Sequence, residues 1–237
     1  MSSLSFRILG LAAASALLVA SGAALASNAT VTQLSGTLSV KKPDGSVRIL
    51  SQKSQIESGD TINTEHDSYA QIKFSDGAQL TLKPNTAVKI DNFKFAEEKP
   101  QDDSFLYSLV KGGLRAVTGI VGKRSKDKYQ LGTATATIGI RGTTFSADDC
   151  ASNRGGDCQR LDAAVYVGVA DGEIVVRNGQ GELGLTAGQF GQIAPNQRPL
   201  FLSTDPGLQF TPPATFIQSV MAGSVVNAGK NLECSIR

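Results

Sequence analysis

The residues that could support acid–base or metal chemistry are few and widely separated. His66 is the only histidine of the chain, and it lies in a polar run beside Glu65 and Asp67. A Ser–His–Asp triad or a histidine-containing metal site would have to use this one residue. A lone histidine flanked by acids between two apparent strands is typical of a solvated turn. We therefore predict no catalytic residue, no metal site and no cofactor.

Two groups of carboxylates could act together if the fold brought them close. Glu97, Glu98, Asp102 and Asp103 flank a Lys-Pro-Gln stretch that is typical of a surface loop. The second group supplies several oxygen ligands and comprises Asp148, Asp149, Asn153 and Asp157. Its spacing does not fit an EF-hand, so we predict a solvated acidic loop, with a calcium site as the alternative. A polysaccharide-cleaving enzyme would need two acids within about 5–9.5 Å in a groove.

Cysteine usage favours an oxidising compartment. Cys150 and Cys158 enclose a short, polar, glycine-rich loop, and we predict that they form a disulfide worth about 2.5 kcal/mol. A metal site at this pair is the alternative, with only His66 left to complete it. Cys234, the third cysteine, is left without a partner in this pairing and is either free or paired with another chain.

The N-terminus has the features of an export signal. Arg7 is the only charge before an apolar run from Ile8 to Ala20, and Ala24-Leu25-Ala26 is a small-x-small cleavage signature. We predict cleavage after Ala26 and a periplasmic, secreted or cell-surface protein. The alternative is an uncleaved membrane anchor, and only then would the protein contact the membrane.

The charge balance argues against nucleic acid as a partner. Without Arg7, one of the 23 basic side chains, 22 remain against 21 acidic ones. A nucleic-acid-binding protein would show a marked basic excess. The one basic run, Val121 to Lys128, is predicted to be an exposed loop, with contact to acidic envelope polymers as the alternative.

Short alternating segments separated by turn residues predict an all-β fold of antiparallel strands. The clearest is a hairpin in which Asp76 and Gly77 form the turn between AQIKF and AQLTL. Ser35 to Ile62 and Asp171 to Pro195 share one order of strands and glycines, which favours a short β-solenoid or a strongly twisted β-sandwich. Asp102 to Leu114 fits a helical turn or a strand, and Pro212 to Val226 predicts a short C-terminal helix.

Arg141 interrupts the otherwise uncharged strand pattern TATATIGIRGTTF. In an extended chain, Ala134, Ala136, Ile138 and Ile140 would share one face, and Arg141 would lie on the other. We predict that Arg141 is a structural clamp, while Gly142 and Thr143 fix a corner of the chain. The alternative is that Arg141 binds an anionic group of a ligand.

Several of these stretches, in this order, resemble the FecR domain of bacterial envelope proteins. They are GTLSV, GDTINTEHDSYAQIKFSDGAQLTL, LVKGGLR and TATIGIRGTTF. Together with the export signal, the cysteine pair and the predicted helix described above, the resemblance gives the following expected organisation: a signal peptide (1–26), a FecR-like β domain (27–147), a disulfide loop with additional strands packing on that domain (148–204), and a tail with a short helix (205–237).

The resemblance also implies a limited function. Members of the family carry an iron-uptake signal to a cytoplasmic sigma factor through a segment that precedes a membrane span. Only a few residues precede the apolar run here, so we do not expect that arm. We predict a non-enzymatic module that binds an envelope protein or polysaccharide. The alternative is a membrane-anchored periplasmic signal regulator.

Overall fold

A computed structural model of the chain describes residues 29–208 and Phe216. The N-terminal segment 1–26, Cys234 and, apart from Phe216, the helix predicted for Pro212 to Val226 lie outside these residues. No helix of the described part is long or apolar enough to cross a membrane.

Strands make up about half of the described residues, and helix is almost absent. The first nine strands are β1 (Ala29–Ser35), β2 (Leu38–Lys41), β3 (Val47–Leu50), β4 (Gln55–Ile56), β5 (Thr61–Thr64), β6 (Tyr69–Phe74), β7 (Gln79–Leu82), β8 (Ala87–Lys94) and β9 (Ser104–Val117). They are followed by β10 (Tyr129–Gly132), β11 (Thr137–Ile140), β12 (Thr144–Asp149), β13 (Val165–Asp171), β14 (Glu173–Asn178), β15 (Gly181–Thr186), β16 (Phe190–Ile193) and β17 (Leu200–Leu202). Helix α1 (Ile120–Arg124) and the 3-10 turns Pro100–Asp102, Lys126–Lys128 and Gly156–Arg160 complete the described part.

One open mixed sheet contains these 17 strands, and it bends at β9. The first half of β9 pairs with β8 and β10, and the second half, from Gly112 onward, pairs with β7 and β12. Gly112 has φ +83°, and a Cβ there would collide with Thr86. Gly112 therefore lets one strand serve two layers.

The bend divides the sheet into two parts. The front sheet has the order β4-β1-β6-β7-β9-β12-β13-β16-β17. The back sheet has the order β3-β2-β5-β8-β9-β10-β11-β14-β15. Among the described strands, only β9 and β10 pair in parallel. The predicted all-β fold of short antiparallel strands is confirmed, and Asp102 to Leu114 belongs mostly to a strand.

A single apolar core joins the two sheets. Phe74 of the front sheet contacts Phe105 and Phe93 of the back sheet, with ring centroids 4.4 and 5.0 Å apart. Tyr107 and Tyr129 continue this aromatic cluster along the back sheet. The alternate side chains of each strand thus point into a shared interior, as the period-2 pattern requires.

The two similar segments of the sequence form matching parts of the fold. Ser35 to Ile62 contributes the β2–β3 hairpin to the back sheet and then β4 to the front sheet. Asp171 to Pro195 contributes the β14–β15 hairpin and then β16 in the same way. The hairpins lie at opposite ends of the back sheet. The segments therefore do not stack on each other as the solenoid interpretation would require.

The turn at Asp76 and Gly77 connects β6 to β7 and also holds α1. The Asp76 carboxylate accepts the N–H of Ala78 at 2.9 Å and that of Val121 at 3.2 Å. Burial raises the pKa of this carboxyl group. Val121 is fully buried at the start of α1. The prediction that Val121 to Lys128 is wholly an exposed loop is therefore wrong for its first residues.

Candidate binding groove

A groove of about 670 Å³ lies between the disulfide loop and the turns at one end of the sheets. The disulfide loop contributes residues 153 and 155–159 to one wall. His66, Asp67 and Tyr69 form the opposite rim. Residues 83–85, the glycines 112–113 at the bend of β9, Asp148, Gly207 and Leu208 also line the groove. The groove therefore depends on the same bend that joins the two sheets.

The wall of the groove is fixed covalently. Cys150 and Cys158 form the predicted disulfide, with Cα atoms 5.2 Å apart. Both cysteines are buried with Tyr166 and Leu208 in a small second core outside the front sheet. A short loop that is closed by a disulfide and anchored in a core is held in one shape.

The acidic loop differs from the prediction at two positions. Asp148 and Asp149 are the last residues of β12 and are only 5% and 2% exposed. The Asp149 carboxylate accepts the N–H groups of Ala151 and Ser152 at 3.0 and 3.1 Å, and so shapes the loop. The expectation of a solvated acidic loop is wrong for this pair, because β12 carries them into the protein. No cluster of metal-ligating side chains occurs among residues 29–208 and Phe216.

An ion pair forms the floor of the groove. Lys83 Nζ lies 2.7 Å from Asp148 Oδ1, and the two side chains are 14% and 7% exposed. Burial raises the pKa of Asp148, and the Lys83 charge opposes this rise. A Cβ at Gly113 would collide with the Asp148 carboxylate, so glycine leaves the room for this pair. The floor carries no net charge and does not favour an anionic ligand.

The residues on the rim do not form a catalytic triad. His66 Nδ1 lies 2.8 Å from Asp67 Oδ2, with both side chains at least 80% exposed. Ser68 is buried, and its hydroxyl donates to the His66 carbonyl and accepts the N–H of Thr37. Because Ser68 does not face the imidazole, these neighbours lack the geometry of an activated nucleophile.

Tyr69 marks the place where the two walls of the groove come close. Burial raises the pKa of its phenol, and the charges of Asp67 and Asp157 raise it further. Asp67 belongs to the rim and Asp157 to the disulfide loop. Asp67, Asp157 and the Tyr69 phenol all line the groove, and these groups can bind hydroxyl, amide or amino groups.

Arg141 lies away from this groove, at a corner of the back sheet. Its guanidinium lies 2.7 Å from Glu173 Oε1, with both side chains about half exposed, at 48% and 44%. Thr143 is buried; its hydroxyl donates to the Glu173 carbonyl, and its own carbonyl accepts the Thr118 hydroxyl. Gly142 between them has φ +68°. Thr143 thus lies inside the corner, whereas Arg141 lies on the surface.

Arg124 is the residue that sequence reasoning missed. Its guanidinium makes two hydrogen bonds to the buried carboxylate of Asp103, at 2.7 and 3.0 Å, and two to the carbonyls of Ala96 and Glu97. The group also lies over the ring of Phe95, 5.0 Å from its centroid. These contacts attach the β8–β9 connection to α1.

The alternation of buried and exposed positions along β9, which we call strand parity, is a sequence signal for the Arg124–Asp103 pair. Asp103 has the same parity as Phe105, Tyr107 and Leu109, which all face the core. A carboxylate on the buried face of a strand requires a cationic or hydrogen-bonding partner. The basic run that follows β9 could supply one.

Comparison with known proteins connects these features to a family. The family described as FecR protein matches residues 60–175. No curated protein matches the sequence.

The fold is similar in part to solved structures. Two crystal structures of a putative anti-sigma factor from Parabacteroides distasonis are 15% and 17% identical, each with a TM-score of 0.46. The match covers 62% of this chain and 60% of each of those chains. A cell surface anchoring domain is 25% identical, with a TM-score of 0.26, over 27% of this chain and 83% of that domain.

Proposed function

We propose that this chain, whose residues 60–175 match the FecR family, is a non-enzymatic protein of the bacterial envelope. In this proposal it binds an envelope protein or polysaccharide through the groove beside the disulfide loop. The function is recognition, and the FecR domain is the scaffold that presents the groove.

The observation that carries the proposal is the covalently closed wall of the groove. A preformed site loses less conformational entropy on binding than a mobile loop does. The volume of about 670 Å³ falls within the roughly 300–1,000 Å³ typical of ligand sites. Its lining combines carboxylates, amides and one phenol, which suit a polar partner. The disulfide itself favours an oxidising compartment.

The charged groups of the groove support binding more than catalysis. Lys83 and Asp148 neutralise each other on the floor. His66 is exposed on the rim, where water surrounds it. Neither arrangement holds a nucleophile beside a base, which covalent catalysis requires.

A binding assay with a groove-filling variant tests this function. Gly155 has φ −87°, and its nearest neighbour to an added Cβ is Asn153 Oδ1 at 3.5 Å, so Gly155→Trp places an indole at the wall without backbone strain. Gly179→Trp is the matched control, because a Cβ there meets nothing within 4 Å and the turn lies away from the groove. The full chain is exported in a bacterium, purified and incubated with isolated envelope fractions.

We expect the wild-type chain and Gly179→Trp to co-sediment with envelope material, and Gly155→Trp to bind at least tenfold more weakly. Crosslinking and mass spectrometry on the bound fraction would distinguish a protein partner from a polysaccharide. Equal binding by all three chains would reject the groove, and failure of the wild-type chain to bind any fraction would reject the function.

The N-terminus distinguishes the exported protein from the anchored signal regulator. We expect the mature protein to begin at Ser27, because Ala24 and Ala26 form the cleavage signature. Sequencing of the purified N-terminus measures this directly. Retention of Met1 would favour a protein held in the membrane by residues 8–26.

A further inference from the structure

The outer side of the back sheet carries a row of uncharged residues. Strand register places one residue from each of six adjacent strands in this row: Gly184, Val175, Gly139, Gln130, Leu106 and Asn92. These positions face away from the core, because successive residues of a strand face opposite sides of the sheet and their sequence neighbours are buried. Val176, Ile138 and Leu131 are examples of these buried neighbours. We call this set the axial row.

Charged residues of opposite sign flank the axial row. Two residues along the strands on one side of the axial row, the register places Glu173, with Arg141 beside it. Two residues along the strands on the other side, it places Arg177 between Thr137 and Glu182. Arg141 pairs with Glu173 at 2.7 Å and Arg177 with Glu182 at 2.5 Å. All four charged side chains are between 44% and 63% exposed.

We propose that this face binds a second copy of the chain around a two-fold axis that runs along the axial row. Such an axis brings each residue of the axial row against its own equivalent, and it brings each flanking row against the opposite flanking row. Charges on the axis would repel their equivalents, and the axial row contains none.

The flanking rows are complementary in the same arrangement. Glu173 faces Arg177 of the second copy, and Arg177 faces Glu173 of the second copy. Arg141 faces the uncharged Thr137. At the far end, Lys94 faces the Lys89–Asp91 ion pair, in which the two charges lie 2.7 Å apart and sum to zero. The two-fold axis thus creates two new ion pairs at β14, the second of the six strands, and places no uncompensated like charges together.

The dimensions permit these contacts. Packed sheets lie about 10 Å apart. Arginine and glutamate side chains extending from both sheets can cover that distance. Gly139 and Gly184 on the axis leave room for close approach. Val175 meets its own equivalent on the axis.

The size of the face sets the expected affinity. Six strands and three rows cover about 29 by 17 Å, or about 1,000 Å² in total when both copies are counted. This area is at the lower end of specific interfaces, so we expect a dimer with a Kd in the micromolar range.

Two single charge reversals and their mixture test the proposal by sedimentation. In Arg177→Glu, Glu173 meets a carboxylate of the second copy, and in Glu173→Arg, Arg177 meets a guanidinium. We expect each variant alone to dimerise at least tenfold more weakly than the wild-type chain. An equimolar mixture of the two restores both pairs across the interface, and we expect it to dimerise with nearly wild-type affinity.

The mixture separates the interface from effects inside one copy. Each variant loses one of its own surface ion pairs whether it is alone or mixed, so only contacts between copies explain recovery. Lys73→Glu, an exposed reversal on β6 of the front sheet, is the matched control and should dimerise normally. A monomeric wild-type chain at several hundred micromolar, or a mixture that stays monomeric, would overturn the proposal.

Discussion

Two arginine–carboxylate pairs at the back sheet have the same chemistry but different surroundings. Arg124 lies 2.7 Å from Asp103, and the Asp103 side chain is fully buried. Arg141 lies at the same distance from Glu173, and both side chains are about half exposed. Arg124 also binds two backbone carbonyls and covers the ring of Phe95.

The difference shows what burial does to an ion pair. Loss of Arg124 leaves a carboxylate inside the protein without a counter-charge, which is strongly destabilising. Loss of Arg141 leaves a carboxylate that water can solvate, and exposed pairs contribute little to stability. The buried Arg124–Asp103 pair therefore stabilises the fold, while the exposed Arg141–Glu173 pair remains available to contact another molecule.

The largest effect is expected from Arg124→Ala. The buried Asp103 loses its main partner and the β8–β9 connection loses its attachment to α1, so we expect the melting temperature to fall by about 10 °C. Arg141→Ala is the matched control and should lower it by no more than about 2 °C. Differential scanning calorimetry on both variants measures this, and similar losses would remove the distinction between the two pairs.

Removal of the disulfide gives an effect of intermediate size. Cys150→Ser with Cys158→Ser opens the nine-residue ring, and we expect a loss of about 2.5 kcal/mol in the free energy of unfolding. Urea unfolding measures this, with dithiothreitol on the wild-type chain as the independent control. Because the ring forms the groove wall, envelope binding should weaken in parallel. Unchanged envelope binding after reduction would show that the binding site does not depend on the disulfide.

Acid unfolding tests the buried pair through the lowered pKa of Asp103. The hydrogen bonds from Arg124 lower the pKa of Asp103 in the folded protein. The stability from this pair is therefore present above the unfolded pKa near 4 and is lost as the pH falls through the lower folded value. Between pH 4 and pH 2, Arg124→Ala should lose less stability than the wild-type chain does.

The comparison between variants removes the opposing contribution of other carboxylates. Burial raises the pKa values of Asp76 and Asp148, so their protonation on acidification favours the folded state. Both groups remain in Arg124→Ala and in Arg141→Ala. An identical pH dependence of stability in the wild-type chain and Arg124→Ala would contradict the role of Asp103.

The smallest effect is expected from Arg141→Lys. Lysine keeps the charge, and Thr143 rather than Arg141 lies inside the corner. We expect a change in melting temperature of less than about 1 °C at low protein concentration. A large decrease would restore the clamp interpretation of Arg141.

Local patterns predicted the strands better than they predicted the sites. Alternation around Asp76 and Gly77 suffices for a hairpin, because a short turn and period-2 burial are local properties. The bend of β9 at Gly112 depends on Thr86 and on strands far away in sequence. The Lys83–Asp148 and Arg124–Asp103 pairs also join distant segments. The parity of Asp103 is a sequence signal for one of these pairs, but the prediction of a surface loop for Asp103 overlooked it and is wrong, because Asp103 is buried.

The most direct test of the contrast is a pair of double-mutant cycles on the free energy of unfolding, measured at protein concentrations too low for association. One cycle uses Arg124→Ala and Asp103→Ala, and the other uses Arg141→Ala and Glu173→Ala. We predict a coupling several-fold larger in the first cycle and below about 1 kcal/mol in the second. Equal coupling in the two cycles, or a larger value for Arg141 and Glu173, would contradict the assignment of one pair to the fold and the other to the surface.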